Sequence, residues 1–273
     1  MKVRAYGRAT GAGEGREVAR VEGVGGEGAG SEGPSEVREE RVEYWCGDTL
    51  LVGHLLVPDE AVAPRPGVLV FPEWWGVNDY PRRRARQLAA HGYVAFAADM
   101  FGDGATTDDA AEAAQWSADT RLGPLSRARS RAALKVLVAR PGVDADRVAA
   151  IGFCFGGDVA LELARDGADL RGVVAFHASL TSIEPAAAGR LSAAVLALHG
   201  ADDPLTPPER VAAFEDEMRA AKADWQLVSY GGAVHSFSNP DADAAGIDGV
   251  AYDEPAARRA WTHHLTFLTE VLA

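Results

Sequence analysis

Short apolar runs alternate along this chain with stretches whose apolar positions recur at helical spacing. The run Gly67-Val-Leu-Val-Phe71 lies between Pro66 and Pro72, and an unbroken apolar segment so bounded predicts a strand buried on both faces. Residues 93–97, 148–153, 172–177, 193–199 and 225–230 are also predicted strands, and residues 49–57 predict one closed by Pro58. Between them lie helical patterns. Residues 79–91 open with Asp79 as a cap and Pro81 in the first turn, and Gly92 stops them. Helices are also predicted over residues 108–119, 125–139, 155–165, 208–221 and 255–272. Strands alternating with helices require right-handed crossovers. The expected fold is therefore α/β, a mostly parallel central sheet with helices on both faces.

Ahead of residue 41 the texture is different. Residues 7–40 are rich in Gly, Glu and Ser and poor in aromatic and long aliphatic side chains. Such a segment buries too little apolar surface to offset its ordering entropy. Residues 1–40 are accordingly expected to form a flexible tail, and residues 41–273 a single domain. The 47% hydrophobic share of 273 residues is enough for one sizeable core.

Charge narrows the partners. A formal net charge of −13 argues against nucleic acid, whose phosphates need clustered Lys and Arg. Two cysteines, Cys46 and Cys154, are too few for a disulfide framework. No apolar run approaches the ~18 residues of a membrane span, and residues 1–20 lack a signal-peptide pattern. The expectation is a cytoplasmic protein acting on a small molecule, with the oligomeric state left open.

The chemistry gathers at Gly152-Phe-Cys154-Phe-Gly156, which joins a predicted strand directly to a predicted helix. A turn that sharp leaves no room for flanking side chains, which accounts for both glycines, and it raises the central residue above the sheet. Cys154 would stand at the positive end of the helix, where thiolate is favoured over a thiol of free pKa about 8.5. A buried core cysteine is the bland alternative, and the strand-turn-helix context favours the nucleophile. A dinucleotide fingerprint fails, because Gly152, Gly156 and Gly157 are wrongly spaced and lie mid-chain.

A nucleophile of this kind needs a base and an orienting acid on later loops. Asp203 begins an Asp-x-x-x-Pro run after the strand ending at His199, and His235 follows the final predicted strand. Asp203 is preferred over Asp202 because that run turns into the next helix. His177 and His199 end strands and read as packing residues. His263 and His264 are adjacent on one helix and cannot share a face, so no metal is expected there.

Four motifs in order, Glu73-Trp-Trp-Gly-Val-Asn78, Gly152-Phe-Cys-Phe-Gly-Gly157, Gly200-Ala-Asp-Asp-Pro204 and His235-Ser-Phe237, resemble those of the dienelactone hydrolase family over residues 41–273. The resemblance implies an α/β-hydrolase fold, no cofactor, and a Cys154-Asp203-His235 triad that cleaves a small ester or lactone through a thioester. It also implies that Glu73 contacts the resting thiol until substrate displaces it. By analogy, and by the usual geometry after an elbow, the amides of Trp74 and Phe155 form the oxyanion hole. Trp74 and Trp75 are expected to wall the pocket, with Asn239 in contact with substrate.

The chain departs from the family at two carboxylate-binding arginines. Ser238-Asn239 stands where one is expected after the histidine, and Asp103 takes the place of the other. The departure implies a neutral substrate unless Arg82, Arg121 or Arg127 supplies the charge. The alternative from another class is a non-catalytic ligand-binding or interaction protein on the same fold. A thiol redox sensor would need a resolving cysteine, and Cys46 lies far back in the first strand region.

Overall fold

The computed structural model describes residues 37–59, 63–120 and 123–273. Residues 1–36 of the expected tail, and Arg121, lie outside the described residues. The described chain forms an eight-stranded sheet in the order β1-β2-β4-β3-β5-β6-β7-β8. Its strands are β1 (Val37–Cys46), β2 (Thr49–Pro58), β3 (Arg65–Phe71), β4 (Val94–Ala97), β5 (Val143–Phe153), β6 (Gly172–Phe176), β7 (Ala194–Gly200) and β8 (Trp225–Tyr230). The helices are α1 (Asp79–Ala90), α2 (Ala110–Thr120), α3 (Pro124–Val138), α4 (Phe155–Arg165), α5 (Pro208–Ala221) and α6 (Glu254–Val271). From β4 to β8 every pairing is parallel, and β1 and β2 join the edge antiparallel.

Side chains two apart on the central strands point the same way, and this sorts the core into two layers. Val68 and Val70 of β3, with Ala149, Ile151 and Phe153 of β5, pack with α1 and α6. Leu69 and Phe71, with Val148 and Ala150, pack with α3, α4 and α5 on the other face. Both faces of β3 and β5 are covered, which is why these strands read as unbroken apolar runs.

Strand β1 starts at Val37, four residues ahead of the expected domain boundary at Arg41, and the pattern reading had no strand there. Of its ten residues only Val42 and Tyr44 are buried. The rest is mostly charged, as suits an edge strand. Pairing supplies what the pattern lacks: β1 runs the full length of β2 through a two-residue Gly47-Asp48 turn, with Gly47 at φ 58°. Glu39 also ties β1 to α1, accepting from Arg82 Nε at 2.9 Å and pairing with Arg86. A hydrogen bond from His54, and then those cations, outweigh burial and lower the Glu39 carboxyl from 4.5 to about 2. The cap of α1 is Asn78, whose side chain accepts from the Tyr80 amide at 3.1 Å, while Asp79 is a first-turn acid. One residue decides it, because only the Asn78 backbone is extended.

Helix α6 turns His264 into the core against Trp261 and Phe176, with ring centroids 4.3 and 5.5 Å away. Its Nδ1 donates to the Trp261 carbonyl at 3.1 Å, and Nε2 is buried with no partner among the described residues. Burial therefore pushes the imidazole down from 6.5 to about 3. The unfolded chain takes up this proton first as pH falls below the ordinary value. Stability is thus complete above about pH 6.5 and is lost as pH falls toward the folded value. We expect His264 to remove roughly 2–3 kcal/mol of unfolding free energy between about pH 6.5 and pH 4.5. Urea unfolding at the two pH values, beside His264→Leu, checks this. A variant that loses stability as steeply as the wild type would clear His264 as the cause.

Candidate active site

Strand order reverses at β3: the chain steps outward to β4 on one side and returns to β5 on the other. In open α/β sheets the crevice outside the carboxyl ends at such a point holds the ligand. Here Glu73 follows β3 and Cys154 follows β5. A cavity of about 720 Å³ opens at that edge, and Glu73, Trp74, Trp75, Cys154, Phe155 and His235 are in its wall.

Cys154 sits at φ 52°, ψ −118° between β5 and α4, a conformation unfavourable for a residue with a Cβ. The neighbouring glycines make it possible. A Cβ on Gly152 would lie 1.9 Å from the Gly156 oxygen, and one on Gly156 would lie 2.4 Å from the carbonyls of Phe71 and Pro72. The elbow thus presses its helix start against the end of β3, which brings Glu73 and Cys154 to one crevice. The amides of Trp74 and Phe155 donate to no protein acceptor among the described residues. Trp74 and Trp75 meet edge to face at 4.9 Å in the cavity wall.

His235 Nε2 lies 3.0 Å from Cys154 Sγ, and His235 Nδ1 lies 2.8 Å from Asp203 Oδ2. Asp203 stands behind the histidine rather than in the cavity wall, and its other oxygen accepts from the Leu205 amide at 2.8 Å. Burial opposes charge on the imidazole, but Cys154 and Asp203 together push His235 well above its ordinary value. Three side chains from three loops form one hydrogen-bonded line.

Glu73 is placed differently from the expectation. The thiol meets His235, and the Glu73 carboxylate accepts from Ser236 Oγ at 2.9 Å and Asn239 Nδ2 at 2.7 Å. A buried carboxylate needs donors, and a base already occupies the thiol's side. Burial raises the Glu73 pKa, with those two hydrogen bonds opposing it. Asn239 lines the cavity, but its amide is committed to Glu73 and, through Oδ1, to the Asp241 amide at 3.0 Å. It holds Glu73 and keeps its second N–H for another acceptor.

Nor do the charged neighbours stand where expected. Asp103 is exposed and absent from the cavity wall. Its loop is turned by Asp99, whose carboxylate collects the amides of Val52, Phe101, Gly102 and Gly104 at 2.8–3.0 Å. Arg82 is paired with Glu39 and Arg127 with Glu162. The cation in the wall is Arg210, an exposed residue of α5 whose Nη1 donates to the Leu205 carbonyl at 3.0 Å. Acids Asp108 and Asp241 also line the cavity. Ser236 lies within the His235-Ser-Phe237 motif but nothing local tells that it serves Glu73, and Arg210 belongs to no pattern that spacing reveals.

Residues 51–272 match the model of the dienelactone hydrolase family. A solved structure from metagenomic libraries, titled a dienelactone hydrolase-like promiscuous phosphotriesterase, is 44% identical with a TM-score of 0.82, covering 87% of this chain and 99% of that one. A Yersinia pestis protein named as a candidate carboxymethylenebutenolidase is 27% identical over 249 residues, 82% of this chain and 88% of its own. A Bradyrhizobium protein is 30% identical over 213 residues, 74% of this chain and 83% of that protein. Its name is that of a probable 2-oxo-3-(5-oxofuran-2-ylidene)propanoate lactonase. Among the described residues no helix is long and apolar enough to cross a membrane. The elbow, the sheet order and the family match converge: this chain is a hydrolase with the α/β-hydrolase fold and belongs to the dienelactone hydrolase family.

Proposed function

We propose that the protein cleaves small neutral esters or lactones through a Cys154-His235-Asp203 triad and a thioester intermediate. The observation that carries the proposal is the unbroken line of 3.0 and 2.8 Å contacts from Cys154 through His235 to Asp203 at the cavity wall. Cys154 Sγ attacks the carbonyl carbon while its proton passes to His235 Nε2, and Asp203 holds the imidazole in the required tautomer. The oxyanion is received by the Trp74 and Phe155 amides. On collapse the C–O bond breaks, and the leaving alkoxide takes the proton from His235. Water then attacks the thioester, giving its proton to His235. The C–S bond breaks, and the sulfur recovers its proton. A panel of small esters, thioesters and lactones, run beside Cys154→Ala, tests the reaction class. Turnover in the variant equal to wild type would end the proposal.

Charge in the cavity supports a neutral substrate. Glu73 and Asp108 line the cavity, Asp241 does so while paired with Arg83, and the one Lys or Arg in the wall among the described residues, Arg210, is exposed and already hydrogen-bonded. A buried bidentate arginine gives a carboxylate a few kcal/mol, and an exposed one far less. For a matched pair of esters differing only in a carboxylate, kcat/KM is expected to favour the neutral member. A preference of about tenfold or more for the anionic member, roughly 1.4 kcal/mol, would contradict this and point to Arg210. The metagenomic neighbour is named as a promiscuous phosphotriesterase, and a neutral phosphotriester meets the same charge requirement. One belongs in the panel.

A further inference from the structure

His177, at the end of β6, is fully buried, and both ring nitrogens are engaged. The Cys154 amide donates at 3.1 Å to His177 Nδ1, sharing its proton with the Phe176 carbonyl at 2.9 Å. An amide can only donate, so Nδ1 is the unprotonated nitrogen, and the ring carries its proton on Nε2. That proton goes to Ser238 Oγ, 2.9 Å away, and Ser238 Oγ also meets the Tyr80 hydroxyl at 2.8 Å. The Ser238 carbonyl accepts from Arg84 Nη2 at 2.6 Å. Ser238 lies three residues beyond His235, on the same loop, and Tyr80 opens α1 just beyond the Trp74-Trp75 turn. The ring of His177 also abuts that of His235 edge to face at 5.5 Å, with Phe153 and Phe237 closing its other sides.

We infer that His177 is a positioning residue that fixes the separation of the Cys154 elbow from the His235 loop by bonding to both. The inference rests on the proposed triad. Two backbones need such a brace, since Cys154 at φ 52° and Ser236 at φ 54° hold conformations that L-residues rarely adopt. The string Cys154 amide–His177–Ser238–Tyr80 ties the elbow, the end of β6, the His235 loop and the start of α1 together beneath the reacting atoms. His177 touches no substrate. Its effect is on the geometry of attack, where a displacement of about 1 Å is worth roughly a hundredfold in rate.

The test uses pre-steady-state hydrolysis of p-nitrophenyl acetate by the full chain. His177→Phe preserves the ring and removes both bonds. His177→Asn keeps an acceptor for the Cys154 amide but does not reach Ser238, and Ser238→Ala cuts only the far link. We expect the acylation rate constant to fall about a hundredfold in His177→Phe and about tenfold in Ser238→Ala, with the substrate dissociation constant, read from the concentration dependence of the burst rate, changed by less than about twofold. His177→Asn should recover about tenfold over His177→Phe. A folded His177→Phe with wild-type acylation would overturn the inference, as would a loss confined to the substrate dissociation constant. Should His177→Phe fail to fold, Ser238→Ala decides: wild-type acylation there overturns the inference, and a loss in acylation alone sustains it. Failure of the triad itself reads out separately, as a wild-type burst that survives Cys154→Ala.

Discussion

Replacing Cys154 with alanine is expected to lower kcat for an activated ester by about ten-thousand-fold, leaving only what an oxyanion hole and binding provide. His235→Ala should cost a similar factor. The double variant should be little worse than either single one, because nucleophile and base act as a unit across the 3.0 Å contact. Iodoacetamide should label Cys154 and abolish turnover, and labelling of Cys46 should leave turnover unchanged. Both cysteines are free, but only Cys154 lies in the cavity wall. The structure would survive the change well, because the glycines at 152 and 156 form the elbow and an alanine fits at its tip. A melting temperature near wild type beside a collapsed kcat is the expected pair of readings. Effects of Cys154→Ala and His235→Ala that multiplied in the double variant would mean that the two act independently.

The largest loss of stability is expected from Arg165→Ala, by about 3–5 kcal/mol. Arg165 closes α4 with its side chain almost wholly buried. Nε and Nη2 grip both oxygens of Glu217 at 2.8 Å, and Nη1 reaches Glu162 Oε1 and the Thr181 carbonyl at 3.1 Å. Glu217 also accepts from the Ala186 amide at 2.8 Å, and Glu162 from Arg127 at 3.2 Å. The cluster ties the nucleophile helix to α5 and to the segment after β6, which brings Ser179 to the cavity. Removing the guanidinium strands Glu217 without a charged partner in a dry site, and that penalty exceeds the net worth of the pair. In a domain of this size the melting temperature should drop by about 10 °C. Arg165→Met with Glu217→Leu, which removes both charges of the bidentate pair, should be more stable than Arg165→Ala alone. A drop of less than about 2 °C in the single variant would contradict the assignment.

Of the candidate site, Cys154, Asp203 and His235 were legible along the chain. Each signal is local: a residue at the end of an apolar run, flanked by the glycine or proline that its turn demands. The apolar runs themselves announced the parallel sheet, because strands covered on both faces have no polar side to hide in. The elbow was readable in part for the same reason, since Gly152 answers a clash with the Gly156 oxygen only four residues on, whereas Gly156 answers the distant carbonyls of Phe71 and Pro72.

What the sequence could not determine depended on partners distant along the chain. Strand β1 shows a mixed, charged pattern until β2 pairs with it and α1 supplies Arg82 and Arg86 to Glu39. Glu73 was found by its motif, but its donors, Ser236 and Asn239, lie more than 160 residues away. No local pattern announces donors that far along the chain. His177 looked like packing because no spacing reveals that one nitrogen meets an amide at residue 154 and the other a hydroxyl at residue 238. Arg210, not Arg82 or Arg127, reaches the cavity because the first turn of α5 borders it, while the other two are paired with Glu39 and Glu162. Apolar periodicity and turn chemistry act over a few residues and leave their mark in the chain. Pairing of buried polar groups is settled by which loops the folded sheet brings to one edge.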